Sequence, residues 1–221
     1  MNLEDLFQGA AGKRLVDWGC LGWKLSAACK KHGIQLAGAD LVEPANRPQG
    51  VEFFPILNGS ADIPDGYADI VSCNHVIEHM SNPSELMHEL MRIVKPGGAL
   101  WIEAPSELAA NGASSSDATD HSFMSFWDDP THIRPWTPGA LYRLAISHRC
   151  FPLEIDRAET GGIPVVRMHA IKPFDAPKDP QWRYVTLQGV PPGVHNAWVA
   201  IWGSPPTLTS PHPFATELTP A

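Results

Sequence analysis

The chain has 221 residues, the length of one domain with a sizeable core. Sixteen Lys and Arg against 24 Asp and Glu leave a net charge of −8, which argues against a polyanionic partner such as bulk nucleic acid. No apolar run approaches a membrane span, and the N-terminus carries no signal-peptide core. Cys20, Cys29, Cys73 and Cys150 form no Cys-x-x-Cys pair, so a cytoplasmic protein with reduced thiols is expected.

Met1–Gly12 is weakly amphipathic and reads as one helical turn or a frayed lead-in. Arg14–Trp18 (RLVDW) is predicted as the first strand, with Asp17 near its end. The turn Gly19-Cys20-Leu21-Gly22-Trp23 follows, then a helix to about His32. Ile34–Leu41 (IQLAGADL) is a second strand that carries Asp40 at its end. A glycine turn lets backbone approach a ligand, and an acid about 20 residues further on can bond ribose hydroxyls, as in a dinucleotide-type site. Val51–Leu57 is a third strand, and Asn58-Gly59 opens a polar turn of Asx character.

Asp69 to Pro105 is the most informative stretch: strand, polar turn, amphipathic helix, glycine stop, strand. Ala68–Cys73 and Ala99–Ala104 are short apolar runs of the kind buried in a parallel sheet. Between them, Leu86, Leu90, Ile93 and Val94 share one face of a helix over Ser84–Val94, with Asn82 placed to cap it and Pro83 at its first position. Pro96-Gly97-Gly98 marks its end. Such a unit is a right-handed crossover, and ligands sit at the carboxyl ends of its strands. Asn74, His75, Glu78 and His79 cluster at that end of the first strand.

Ser106–Pro135 is a long excursion, first small and polar, then aromatic and acidic over His121–Trp136, the composition of a lid. Thr137-Pro138 starts a helix over Gly139–His148. Phe151–Ala158 is predicted as a sixth strand and Ala197–Trp202 (AWVAIW) as a seventh. Residues 161–194 between them show no helical period and read as an edge elaboration or an oligomer contact; 204–221 reads as a Pro-rich tail, extended or disordered.

The central block resembles class I S-adenosylmethionine (SAM)-dependent methyltransferases, in which an aspartate opens the fourth strand, a V-[IL]-E-H turn follows it and a [KR]-P-G-G turn precedes the fifth. The similarity spans most of Arg14 to about Cys150. It implies an α/β fold: a Rossmann-like, mostly parallel seven-stranded sheet with helices on both faces and an antiparallel edge hairpin, filling residues 1–203 with a lid-like insertion at 106–135. It also implies SAM as cofactor, held by Asp17, Gly19, Gly22, Asp40, Asn58 and Asn74. The family's usual turn is D-x-G-x-G-x-G; here Leu21 and Trp23 stand at its second and third glycines. The segment Asp129–Pro135 (DPTHIRP) is similar to methyltransferases acting on sugars and polysaccharide ends.

His75-Val76-Ile77-Glu78-His79 reads H-x-x-E-H, a string also found in zinc proteases. Its place at a strand end inside a crossover argues against a protease helix. Some members of the resembled family hold a divalent cation on an E-x-x-E-H turn and a later histidine, which implies His75, Glu78, His79 and His132 as ligands here. Histidine in place of the first glutamate shifts preference from Mg²⁺ toward Zn²⁺ or a similar ion. The metal-free alternative is a histidine base, His79 first and His132 second, oriented by Glu78. The expected function is SAM-dependent methylation, most often of oxygen, on a small-molecule or carbohydrate-like acceptor. The alternative is a catalytically inactive methyltransferase-like scaffold with a degenerate SAM turn. Oligomeric state is left open.

Overall fold

The computed structural model describes residues 2–111, 125–173, 207–208 and 218–219. Apolar runs of five to seven residues form the strands at its centre: β1 (Arg14–Trp18), β2 (Gln35–Asp40), β3 (Glu52–Leu57) and β5 (Ala68–Asn74). A two-residue strand, β4 (Ser60–Ala61), turns back on β3, and β6 (Val94–Pro105) is longer than its apolar core requires. The order across the sheet is β4-β3-β2-β1-β5-β6-β8-β7, with β7 (Phe151–Thr160) and β8 (Ile163–Ile171) as an antiparallel hairpin at one edge. Strands β3, β2, β1, β5 and β6 run parallel; β4 and β8 are antiparallel to their neighbours.

The sheet therefore has eight strands where seven were expected, the extra one being β4. The antiparallel partner at the edge is Ile163–Ile171, inside the stretch read as an elaboration. Pro164, Gly161 and Gly162 hid it, because the proline stands near a strand start and the glycines form the hairpin turn. The strand predicted at Ala197–Trp202 lies outside the described residues, as do most of the tail and of 161–194; Thr207–Leu208 pairs antiparallel with Leu218–Thr219.

Each face of the sheet buries one cluster. Helix α2 (Pro83–Ile93) and helix α3 (Pro138–Ser147) cover a core that includes Val16, Val71, Leu86, Leu90, Leu100, Ile102, Leu141 and Met168. Helix α1 (Ser26–His32) and the N-terminal 3-10 turn Leu3–Phe7 cover the other face over Leu15, Leu36 and Ile70. Asn82 caps α2 through the Ser84 amide at 3.2 Å, and Thr137 caps α3 through Ala140 at 3.0 Å. Helix α2 stops at Ile93, ahead of the glycines. The Lys172 ammonium, arriving after β8, donates to the carbonyls of Met91 (2.7 Å) and Val94 (2.8 Å), while Val94 is already extended.

The chain runs from β1 outward to β3 and then returns to β5 on the other side of β1. The crevice between the carboxyl ends of β1 and β5 is thus a topological switch point, where ligands bind in open α/β sheets.

Candidate active site at the switch point

Asp17 and Ser72 are register partners on β1 and β5, both buried, and the Ser72 hydroxyl donates to Asp17 Oδ1 at 2.7 Å. Burial pushes the Asp17 carboxyl up to about 6; the Ser72 bond opposes this and the charge of Asp40 adds to it. The turn after β1 is tied to β2 by the Gly19 amide, which donates to the Ala39 carbonyl at 2.8 Å. Gly19 has φ 82°, and a Cβ there would overlap Val76 Cγ2, so the turns after β1 and β5 touch and only a hydrogen fits between them.

Whether this turn admits a nucleoside depends on its two large side chains. Trp23 is 6% exposed: it packs down on β2, where a Cβ at Gly38 would meet Trp23 Cζ3 at 2.5 Å and Cys20 Sγ at 2.6 Å. It stands edge-on to Phe53 and donates its indole N–H to Pro44 O at 3.3 Å. No helix connects β2 to β3, and Trp23 covers the sheet face left there. Leu21 is 70% exposed and points to solvent. At Gly22 (φ 71°) nothing described lies within 4 Å of a Cβ position, so its backbone is open. These features fit a bound SAM: Trp23 packs on β2, Leu21 points to solvent, and Asp40 ends β2 with Oδ1 accepting from its neighbour's amide, Leu41 N, at 2.7 Å. Asn58 is exposed in the left-handed conformation (φ 53°) at the end of β3, and Asn74 Oδ1 accepts the Trp101 indole N–H at 3.1 Å.

The second half of the site is built on the turn after β5. Residues 131–134 dock along it. Ile133 N donates to Glu78 O at 2.8 Å, Arg134 Nη2 donates to Ser81 O at 3.0 Å, and Thr131 meets His79. The structure thereby brings Glu78, His79 and His132 together, with one ligand atom from each within 4.8 Å of the others. The hydrogen bonds assign the tautomers. Thr131 has one hydroxyl proton and gives it to Asp129 Oδ1 at 2.5 Å, so His79 Nδ1, 2.9 Å from Thr131 Oγ1, donates to that oxygen. His132 Nδ1 donates to the Phe126 carbonyl at 2.6 Å, and its ring stacks on Phe126 at 4.4 Å. As neutral rings, both histidines therefore carry their free lone pair on Nε2.

Glu78 is 0% exposed, and among the described residues neither of its carboxylate oxygens has a hydrogen-bond partner. The nearest ring nitrogens are His75 Nδ1 at 3.4 Å and His79 Nε2 at 4.0 Å. Two bare imidazole nitrogens and an unsatisfied buried carboxylate form a donor set suited to a divalent transition ion, and each Nδ1–H is fixed by an oxygen, as in metal-ligating histidines.

His75 is not part of that group. Its backbone is left-handed (φ 53°), and its Nε2 lies 3.2 Å from Glu103 Oε1. The bond to Glu103 and the nearby Glu78 carboxylate push His75 up to about 9 against the effect of burial. Burial works to raise Glu103, but His75 and Arg167 hold its carboxyl below the usual range. Ser72, Thr131, Glu103 and Arg167 went unread in the sequence. Glu103 alone carried a signal, as an acid inside the apolar run WIEAP; Arg167 lies on a strand that the sequence pattern concealed.

Among the described residues no helix is long and apolar enough to cross a membrane. Residues 2–147 match a family model described as a methyltransferase domain. A ubiquinone biosynthesis O-methyltransferase of Aeromonas salmonicida is 31% identical over 111 residues, 45% of this chain and 46% of that enzyme. The enzyme of the same name from Pseudomonas savastanoi is 34% identical over 113 residues, 46% of this chain and 48% of its own. The chain thus spans about half the length of the curated relatives it matches. The fold is similar to that of Burkholderia thailandensis 1,6-didemethyltoxoflavin-N1-methyltransferase, with TM-score 0.59, 16% identity, and coverage of 77% of this chain and 76% of that one. With its family match extending over most of its length and a fold similar to that solved methyltransferase, the chain belongs to the methyltransferase-domain family, the class I SAM-dependent methyltransferases.

Proposed function

We propose that the protein is a SAM-dependent methyltransferase that methylates a hydroxyl oxygen of a small-molecule or carbohydrate-like acceptor, with Glu78, His79 and His132 holding a divalent cation. The observation that carries this reading is the Glu78 carboxylate, buried without a hydrogen bond among the described residues and grouped with two imidazoles that, as neutral rings, have their free lone pairs on Nε2. A divalent cation held there would supply Lewis acidity toward the acceptor hydroxyl. The chain's own part is positioning: methyl transfer is an in-line displacement, and alignment supplies much of its rate. Asp17, the open backbone at Gly22 and Asp40 would hold the donor at the ends of β1 and β2. Trp127, 59% exposed and edge-on to the Phe126 ring that stacks on His132, offers a flat apolar platform for a ring on the acceptor. Oxygen as the acceptor atom is supported by the curated relatives named as O-methyltransferases.

Metal-free base catalysis by His79 is the second reading, favoured by the bond that leaves His79 Nε2 bare. Thermal melting with S-adenosylhomocysteine, with Zn²⁺ or Mn²⁺, and with both tests the scheme. Stabilisation by the nucleoside that is lost in Asp40→Ala, and by the cation that is lost in His79→Ala, is expected. Silence toward the nucleoside at millimolar concentration overturns the enzyme reading. A nucleoside response without any cation response leaves the base mechanism. Methylation of amines but not hydroxyls in an acceptor panel overturns oxygen as the acceptor atom.

A further inference from the structure

We propose that His75 is a positioning residue: clamped between Glu103 and Glu78, it holds the Glu78 carboxylate toward His79 and His132 and does not itself ligate the cation. The inference rests on the reading of Glu78, His79 and His132 as a cation site. Its support is geometric. The His75 ring presents Nε2 to Glu103 Oε1 at 3.2 Å and Nδ1 to Glu78 Oε1 at 3.4 Å. Both ring nitrogens are thus turned toward carboxylate oxygens, and His75 contributes no ligand atom to the group formed by Glu78, His79 and His132.

The clamp is anchored from behind. Glu103 Oε2 takes the Arg167 Nε–H at 2.6 Å, and Arg167 in turn reaches Thr160 Oγ1 at 2.8 Å. The backbone adds a fixed point: His75 N donates to the Glu103 carbonyl at 2.8 Å. A row of side chains therefore runs from the buried carboxylate of Glu78 through His75, Glu103 and Arg167 to the edge hairpin. The left-handed backbone at His75 is uncommon outside glycine, and it is what turns the ring toward β6. This makes the hairpin β7–β8 a mechanical support of the site, through residues that touch neither donor nor acceptor.

Mn²⁺ bound to the full chain, with all histidines ¹⁵N-labelled, reports the number of coordinated imidazoles by electron–nuclear double resonance. Two coordinated nitrogens are expected; three overturn the proposal while the cation site stands. One or none, or no Mn²⁺ binding, overturns the cation site and the proposal with it. The variants His75→Asn, which suits a left-handed backbone, and Glu103→Gln supply an independent reading. Each should weaken Mn²⁺ about tenfold with the coordination signature unchanged, the usual size of an outer-shell loss. The double variant should lose no more than either single one, because both act through Glu78. Fully additive losses, or unaltered affinity in both single variants, overturn the clamp.

Discussion

Asp17 shows how far one side chain can be read. Its place at a strand end beside a glycine turn was plain from the sequence; its ionisation was not, because that depends on burial and on Ser72 from a strand 55 residues away. Folded Asp17 keeps its proton up to about 6, above the ordinary carboxylate value, so between the two the native state binds more protons than the unfolded chain. Stability contributed at this position therefore falls as pH rises through that window and is level above it. Asp17→Asn is expected to raise the melting stability by on the order of 2 kcal/mol at pH 7.5 and to leave it unchanged near pH 4, as measured by denaturant titration. If ionised Asp17 faces the cationic methionine end of the nucleoside, wild-type affinity for S-adenosylhomocysteine should rise about tenfold from pH 5 to 7, and the variant should lose that slope. Calorimetry at the two pH values measures it.

At the scale of elements, spacing rules located the helices to within a residue or so. Leu86, Leu90 and Ile93 recur on one face, Asn82 and Thr137 cap where short polar residues should, and prolines follow both caps. The end of α2 escaped those rules because a tertiary group, Lys172, takes over its last carbonyls. The turn after β1 was ambiguous for a similar reason: the direction of Trp23 depends on Gly38, a residue of the next strand. Gly38→Ala should press on Trp23 and Cys20, cost about 1–3 kcal/mol in a chemical-denaturation measurement, and weaken nucleoside binding by displacing the turn. Leu21→Ala, at an exposed position, should stay within about 0.5 kcal/mol of wild type. Equal effects of the two would mean that Trp23 does not brace the turn.

Over the whole molecule, a net charge of −8 predicts passage through a heparin column at about 0.1 M salt, where a Debye length near 10 Å still lets surface charge act. Retention would point to a local basic surface that the overall charge conceals. The same contrast between total and arrangement divides what could be learned at each level. Hydrophobic period, capping residues and the strand–turn–helix–strand block at Asp69–Pro105 were sufficient for the α/β class, because local backbone preference and one-sided burial are written in neighbouring residues. Glu78, His79 and His132 were recognisable as candidates by type and pattern. Their convergence, the turning of His75 onto Glu103, and the choice of Ile163–Ile171 as the edge strand were decided only in three dimensions. Those outcomes depend on contacts between residues that are far apart in the chain, and on which buried groups find a partner, and neither is encoded at any single position.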